Sequence, residues 1–288
     1  MNANILAALI NMRQGKLTQA RSLLDEWQSS DSGTIRRATG RLLRAEARAA
    51  ANSEDYAKAR AKAAEAIALE PGNLGYALLP VGIYQAEGKL DEALSALDAV
   101  EENYGNERAV ILSRAALLRQ KEGNDSAYDY LLKQWQASQD TGLMPSLLGL
   151  AKTEAPETQD KLTNSWLQAS PDSVAAHMAR ADWLMVNKQQ IVAANHYEQV
   201  ISRQPNNIAA LNNLAWLLRE NDPTRALEFA NRARELAPAN PAVLDTYGWI
   251  MHLSGKHSEA RAAIEQALAL APDNPEIQAH LETVKQAM

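Results

Sequence analysis

Four prolines set the frame for this chain. Pro171, Pro205, Pro238 and Pro272 follow one another at intervals of 34, 33 and 34 residues. A period of that size belongs to arrays of helix–turn–helix units, each too small to bury its own apolar face and stable only when stacked on a neighbour. The last full unit, Asn240–Asp273, shows the plan best, with Leu244, Tyr247-Gly248, Gly255, Ala260, Ile264, Ala267 and Pro272. Gly248 lets the two helices approach closely, and Gly255 takes the tight turn between them. Ala260 and Ala267 leave room for the neighbouring helix, and Pro272 forces the chain to turn. Asn240-Pro241 and Asn274-Pro275 each read as a helix cap followed by a proline at the first helical position.

The register runs back through the chain with decreasing clarity. Repeat 7 has Leu211, Leu214-Ala215, Ala226, Ala233 and Pro238, with a turn at Asn221-Asp222-Pro223 one residue short. Repeat 6 keeps Ala193, Tyr197 and Pro205. Repeats 5 and 4 are degenerate, with Gln159 and Tyr128 where a small residue belongs, although repeat 4 keeps Gly123. Repeat 3 is clear again (Tyr84, Gly88, Leu90, Ala93), repeat 2 closes on Tyr56, Ala59, Ala66 and Pro71, and repeat 1 offers Gly15, Leu17, Ala20 and Leu24. The tail from Pro275 carries Ile277, Leu281 and Val284 on one face, as a cap for the last repeat. Pro80 should kink or delay the first helix of repeat 3, Pro145 fits a helix starting near Met144, and an irregular middle is expected around repeats 4 and 5.

Over nearly the whole chain these positions resemble the tetratricopeptide repeat (TPR). The resemblance implies an all-α, right-handed TPR superhelical solenoid of about eight helix-turn-helix repeats plus a C-terminal capping helix. The repeats fall at about 1–33, 34–72, 73–105, 106–139, 140–172, 173–206, 207–239 and 240–273, with the cap at 274–288, as a single solenoid over 1–288. Composition agrees. Hydrophobic residues make up 46% of the chain but aromatics only 5%, with one Phe, so the apolar content suits close helix packing rather than a sheet.

Charge and motif content exclude several functions. A net charge of −6 argues against a nucleic-acid binder. Residues 1–72 nevertheless hold 11 basic against 8 acidic residues, while the remainder holds 18 against 27. No cysteine is present, so disulfides, thiolate metal sites and a cysteine nucleophile are excluded. No apolar stretch reaches membrane-spanning length. The five histidines show no metal-binding spacing and are expected at the surface or in a groove, and no phosphate-cradling loop or nucleophile motif occurs. No metal, no cofactor and no catalytic activity are therefore expected.

In TPR arrays the first helices line the concave face, and positions 2, 5, 9 and 12 of each repeat point into it. In repeat 2 that places Arg41, Arg44 and Arg48 in the groove with Arg37 one turn earlier, a basic stripe suited to carboxylates or phosphates. A simple solvated face is the alternative. In repeats 7 and 8, Asn212, Asn213, Trp216 and Arg219 are matched by Asp245, Thr246, Trp249 and His252. The two tryptophans are expected side by side, suiting an extended peptide or a sugar chain, or else packing between helices. The Lys and Asn set of carboxylate-clamp TPRs is missing.

The run Leu211–Leu218, Asp222-Pro223, Ala226-Leu227 and Asn240–Trp249 is similar to the final repeats of bacterial TPR proteins of the PEP-CTERM/exopolysaccharide-export type (PrsT-like). That resemblance implies an exported lipoprotein beside polysaccharide secretion machinery. The chain lacks a signal segment and a lipid-attachment cysteine, so the expectation is a periplasmic or envelope-associated fragment of a longer exported chain, with the cytoplasm as the alternative. The expected partner is a protein or peptide, with polysaccharide binding or a structural spacer role as second readings.

Overall fold

The computed structural model describes residues 2–27, 32–151 and 156–288, so parts of repeats 1 and 5 lie outside it. The described residues are helical and contain no strand. They form two compact units that divide at Leu150/Ala151, between the two helices of repeat 5. Unit 1 holds α1 (Asn2–Arg13), α2 (Leu17–Asp25), α3 (Gly33–Asn52), α4 (Tyr56–Leu69), α5 (Leu74–Ala77), α6 (Leu79–Ala86), α7 (Leu90–Tyr104), α8 (Arg108–Glu122), α9 (Asn124–Ser138) and α10 (Met144–Leu150). Unit 2 holds α11 (Pro156–Ala169), α12 (Val174–Val186), α13 (Gln190–Arg203), α14 (Ile208–Leu218), α15 (Pro223–Leu236), α16 (Pro241–Leu253), α17 (His257–Leu270) and α18 (Pro275–Gln286). Within each unit a helix packs on its successor, and first helices also pack on the first helices of adjacent repeats: α1 on α3, α3 on α6, α14 on α16, α16 on α18. This is the repeat solenoid that the proline period implies.

Local chemistry explains the turns. Five of them place one residue in the left-handed region: Gly15 (φ 74), Glu54 (φ 60), Gly88 (φ 78), Lys188 (φ 58) and Gly255 (φ 76). The next backbone N–H then reaches back to a carbonyl five residues earlier, Lys16 to Asn11, Asp55 to Ala50, Lys89 to Tyr84, Gln189 to Leu184 and Lys256 to Met251, at 2.8–2.9 Å. That bond satisfies a helix-terminal carbonyl and aims the second helix back along the first. The caps follow the sequence. The Asn240 side chain accepts from the N–H groups of Ala242 and Val243 (3.0 and 3.3 Å), and Asn274 accepts from Glu276 and Ile277 (3.0 and 3.2 Å).

Close approach is equally specific. A Cβ on Gly248 would stand 2.5 Å from Ile264 Cγ1 and 3.0 Å from the Ala260 carbonyl, so only glycine lets α16 lie this near α17. Pro80 splits the first helix of repeat 3 into α5 and α6 and sits in the first turn of α6, while Pro145 takes the second position of α10. In repeat 4 the register differs from the sequence reading by one residue. Ala127, fully buried, occupies the small-residue place, and Tyr128 is only half-buried. The cause is the turn: Gly123 both ends α8 and caps α9, replacing the usual three-residue connection.

At the C-terminal end α18 covers α17, burying Ile277, Leu281 and Val284 with Ile264 and Ala263. On α1, Leu6 and Ile10 remain 61% and 47% exposed. Among the described residues no helix is long and apolar enough to cross a membrane.

Candidate functional site

Unit 1 presents the arginine stripe. Arg37, Arg41 and Arg48 are exposed and Arg44 is half-buried. The core side of α3 carries Ile35, Ala38, Leu42, Leu43, Ala47 and Ala50, all buried. At 3.6 residues per turn the four arginines fall within an arc of about 60° on the opposite side, spread over roughly 16 Å of helix. Among the described residues no carboxylate lies within ion-pairing distance of any of the four. Most other arginines are engaged: Arg21 with Glu46, Arg60 with Glu87, Arg114 with Asp98 and Glu101, Arg180 with Asp160, Arg203 with Asp172, Arg225 with Glu198. Tyr76 of α5 packs its ring against the buried Gly40, beside the stripe. Burial pushes its phenol pKa up, against the pull of Arg44 and Arg41.

Beside the stripe the adjoining segment is low except at Leu78. One repeat on from Arg41, Arg44 and Arg48 stand Gly75, Leu78 and Gly82 on the segment α5–α6, which packs on α3. A Cβ at Gly82 would meet nothing within 4 Å.

Unit 2 is different. Its groove positions carry polar and aromatic groups that bind one another. The Arg219 guanidinium lies over the Trp216 ring at 4.1 Å and donates to the Trp216 carbonyl at 2.6 Å. His280 of α18 is 5.9 Å from Trp216 and stacks on Trp249 at 4.3 Å, while its Nδ1 bonds the buried Asp245 carboxylate at 2.8 and 3.0 Å. Trp249 meets His252 at 5.1 Å, and His252 Nδ1 lies 3.0 Å from His257 Nδ1. Burial and then His257 push the His252 pKa down. The two tryptophans thus do not stand ring on ring; His280 lies between them.

The amides are divided. Asn213 donates to the Tyr197 hydroxyl at 3.0 Å, and that hydroxyl donates to Asp182 at 2.6 Å. Burial, then the Asp182 bond, hold the Tyr197 phenol far above its ordinary range. The Asn212 Oδ1 is buried and makes no hydrogen bond to the described residues. The structure therefore joins Trp216, Arg219, Asp245, Trp249 and His252 in one cluster and commits Asn213 to Tyr197.

Two participants escaped the sequence reading. Asp182 sits one repeat before Trp216 and was visible in the register. His280 lies on the capping helix, 34 residues after Thr246, where the repeat register continues past the last full repeat. His177 also departs from the surface or groove position expected of the histidines. It is buried, bonds the Pro171 carbonyl through Nε2 at 2.9 Å and faces His196 through Nδ1 at 2.9 Å. Among the described residues no three His, Asp or Glu side chains converge as a metal site.

Comparison with known proteins places the repeats. Residues 196–224 and 217–282 match family models of the tetratricopeptide repeat. A TPR repeat-containing protein of Pseudomonas aeruginosa is 32% identical over 143 residues, which are 46% of this chain and 24% of that protein. The chain therefore spans about a quarter of that curated relative. Among solved structures, the APC/C hetero-tetramer Cut9–Hcn1 is similar with a TM-score of 0.57 at 11% identity, covering 98% of this chain and 63% of that one. A tetratricopeptide repeat protein from Parabacteroides merdae gives a TM-score of 0.48 at 15% identity, over 86% and 99% of the two chains. At such identities the likeness is one of fold.

Proposed function

We propose that this chain of tetratricopeptide repeats is a non-catalytic scaffold that holds a segment of a partner protein against its first-helix faces. One observation carries the reading: α3 aligns four arginines away from the core with no ion-pair partner among the described residues, in a protein that pairs most of its other arginines. Side chains that serve only solubility are normally scattered in sign, whereas an unmatched row of one sign marks a surface prepared for an opposite one. The test is capture of partner proteins from the source organism by the wild-type chain and by an Arg41→Ala/Arg44→Ala/Arg48→Ala variant. A partner held by the first and lost by the second is the expected result. Capture of no protein by the wild type sinks the scaffold reading.

For the setting we propose a bacterial envelope assembly of the exopolysaccharide-export kind, with the chain as part of a longer exported protein. Its support is the resemblance of Leu211–Leu218 and Asn240–Trp249 to repeat proteins of that kind. Fractionation of cells making the natural full-length protein tests it, and recovery solely with the cytoplasm overturns it. Direct polysaccharide binding is the weaker reading, because a sugar ring needs an open aromatic face. Trp216 already carries Arg219, and Trp249 already carries His280.

A further inference from the structure

We infer that the surface formed by the α3 arginine stripe and the adjoining α5–α6 segment takes an extended acidic polypeptide segment, with three or four Asp or Glu residues at alternate positions. The inference rests on the scaffold reading and names the chemistry of the partner.

Spacing is the first argument. Arg37, Arg41, Arg44 and Arg48 follow one another at rises of about 6, 4.5 and 6 Å along the helix. An extended chain puts side chains of the same side roughly 6.7 Å apart. The long, flexible arginine stems absorb the remaining difference, and each guanidinium meets a carboxylate in a bidentate pair.

Shape is the second argument. At Gly75 a Cβ would stand 3.2 Å from Asn73 Oδ1, but at Gly82, on the segment beside the charged stripe, it would meet nothing within 4 Å. A peptide main chain can approach there while its acidic side chains turn to α3. Two described acids near the stripe have partners of their own. Glu46 is held by Arg21, and Glu70 accepts from the Asn73 side chain.

The same residues speak against a nucleic acid. Single strands are held by a basic groove with aromatic stacking platforms. Neither α1 nor α3 contains an aromatic residue, and Tyr76 is buried. Unit 1 as a whole holds 17 basic against 19 acidic residues, so no broad positive field surrounds the stripe.

The test is fluorescence anisotropy with the full chain and a labelled heptapeptide carrying Glu at positions 1, 3, 5 and 7 between serines. The controls are a Gln-for-Glu peptide and an oligothymidylate. Wild type should bind the acidic peptide, with affinity falling as salt rises, and should ignore the Gln peptide. Arg41→Gln/Arg44→Gln should weaken binding at least about tenfold. Gly82→Leu should weaken it as well by filling the open space at that position without touching a charge. Far-UV circular dichroism checks that both variants keep the wild-type helix content. Equal binding by wild type and the arginine variant, or no binding by wild type, overturns the inference, as does an oligothymidylate that binds more tightly than the peptide. The scaffold reading survives any of these results if the wild-type chain still captures a partner protein, so the two ideas fail separately.

Discussion

Groove positions of the same repeat register are used in opposite ways in the two units. On α3 of unit 1 they carry arginines with no ion-pair partner among the described residues, beside a segment that is open at Gly82. On α14, α16 and α18 of unit 2 they carry groups that satisfy each other, from Arg219 over Trp216, through His280 and Trp249, to His252, which meets His257 at the start of α17. A polar surface left unpaired is available to a ligand and contributes little to folding. A buried network paired within itself stiffens the fold and leaves few donors or ring faces for anything else. Residue type alone does not separate these uses, since arginine and aromatic side chains are enriched at binding surfaces in general. What separates them is whether partners are already present in the chain.

The largest effect should come from breaking the unit 2 network at its centre. His280→Ala removes the stacking partner of Trp249 and leaves Asp245, whose side chain is 10% exposed, without its bonded imidazole. Stranding a buried carboxylate is expected to cost about 2–3 kcal/mol. Thermal unfolding followed by hydrogen exchange should locate the loss in α14 to α18. If α18 keeps wild-type protection, the network is not what fastens it.

Acidification should sharpen the contrast, because all five histidines lie in unit 2. His252 is pushed down by burial and then by His257, and His196 by burial and then by His177 and Arg180. A histidine whose pKa is depressed in the fold binds its proton more readily when unfolded. Stability is therefore lost as pH falls below the ordinary imidazole pKa of about 6.5 and recovered above it. Hydrogen exchange at pH 7.5 and 5.5 should show α12 to α17 opening more easily at the lower pH, after correction for intrinsic exchange, beyond any change in unit 1. Equal changes in both units would mean that carboxylates dominate the response.

A smaller effect should be the same in both units. Glu54 and Lys188 occupy the left-handed turn position that glycine holds at Gly15, Gly88 and Gly255. An ordinary side chain pays roughly 1 kcal/mol there, partly offset because glycine loses more entropy on folding. Glu54→Gly and Lys188→Gly should each stabilise the protein by up to about 1 kcal/mol in denaturant titration. Loss of stability in either would mean that its side chain holds the turn by a contact of its own.

These two turns also show where sequence reading stops. Gly88 and Gly255 announce their turns by residue type. Glu54 and Lys188 do not, because there the backbone bond to the carbonyl five residues earlier holds the conformation against a mild preference. The repeat frame was legible because proline, glycine and alanine each meet a steric demand that recurs every 34 residues. The slip at Ala127 arose where Gly123 shortened the turn and one residue dropped from the count. The arginine stripe was legible because helical periodicity alone puts Arg37, Arg41, Arg44 and Arg48 on one side. The insertion of His280 was not, since the 34-residue period places it one repeat after Thr246 but says nothing of its turning back to Asp245 and stacking on Trp249.

The smallest expected effect discriminates most. Arg41→Gln/Arg44→Gln should change stability by no more than about 0.5 kcal/mol in either direction, the usual range for surface substitutions that break no internal contact. Removing two of four like charges from one helix side relieves repulsion, while losing the arginine stems gives up some cover over Tyr76, and the two effects oppose each other. Chemical denaturation of this variant beside His280→Ala sets both uses of the groove register on one scale. A loss comparable to that of His280→Ala would make the stripe structural and remove the ground for assigning it a partner. An unchanged midpoint together with lost binding of the acidic peptide would assign those side chains to recognition, because no internal contact would account for them.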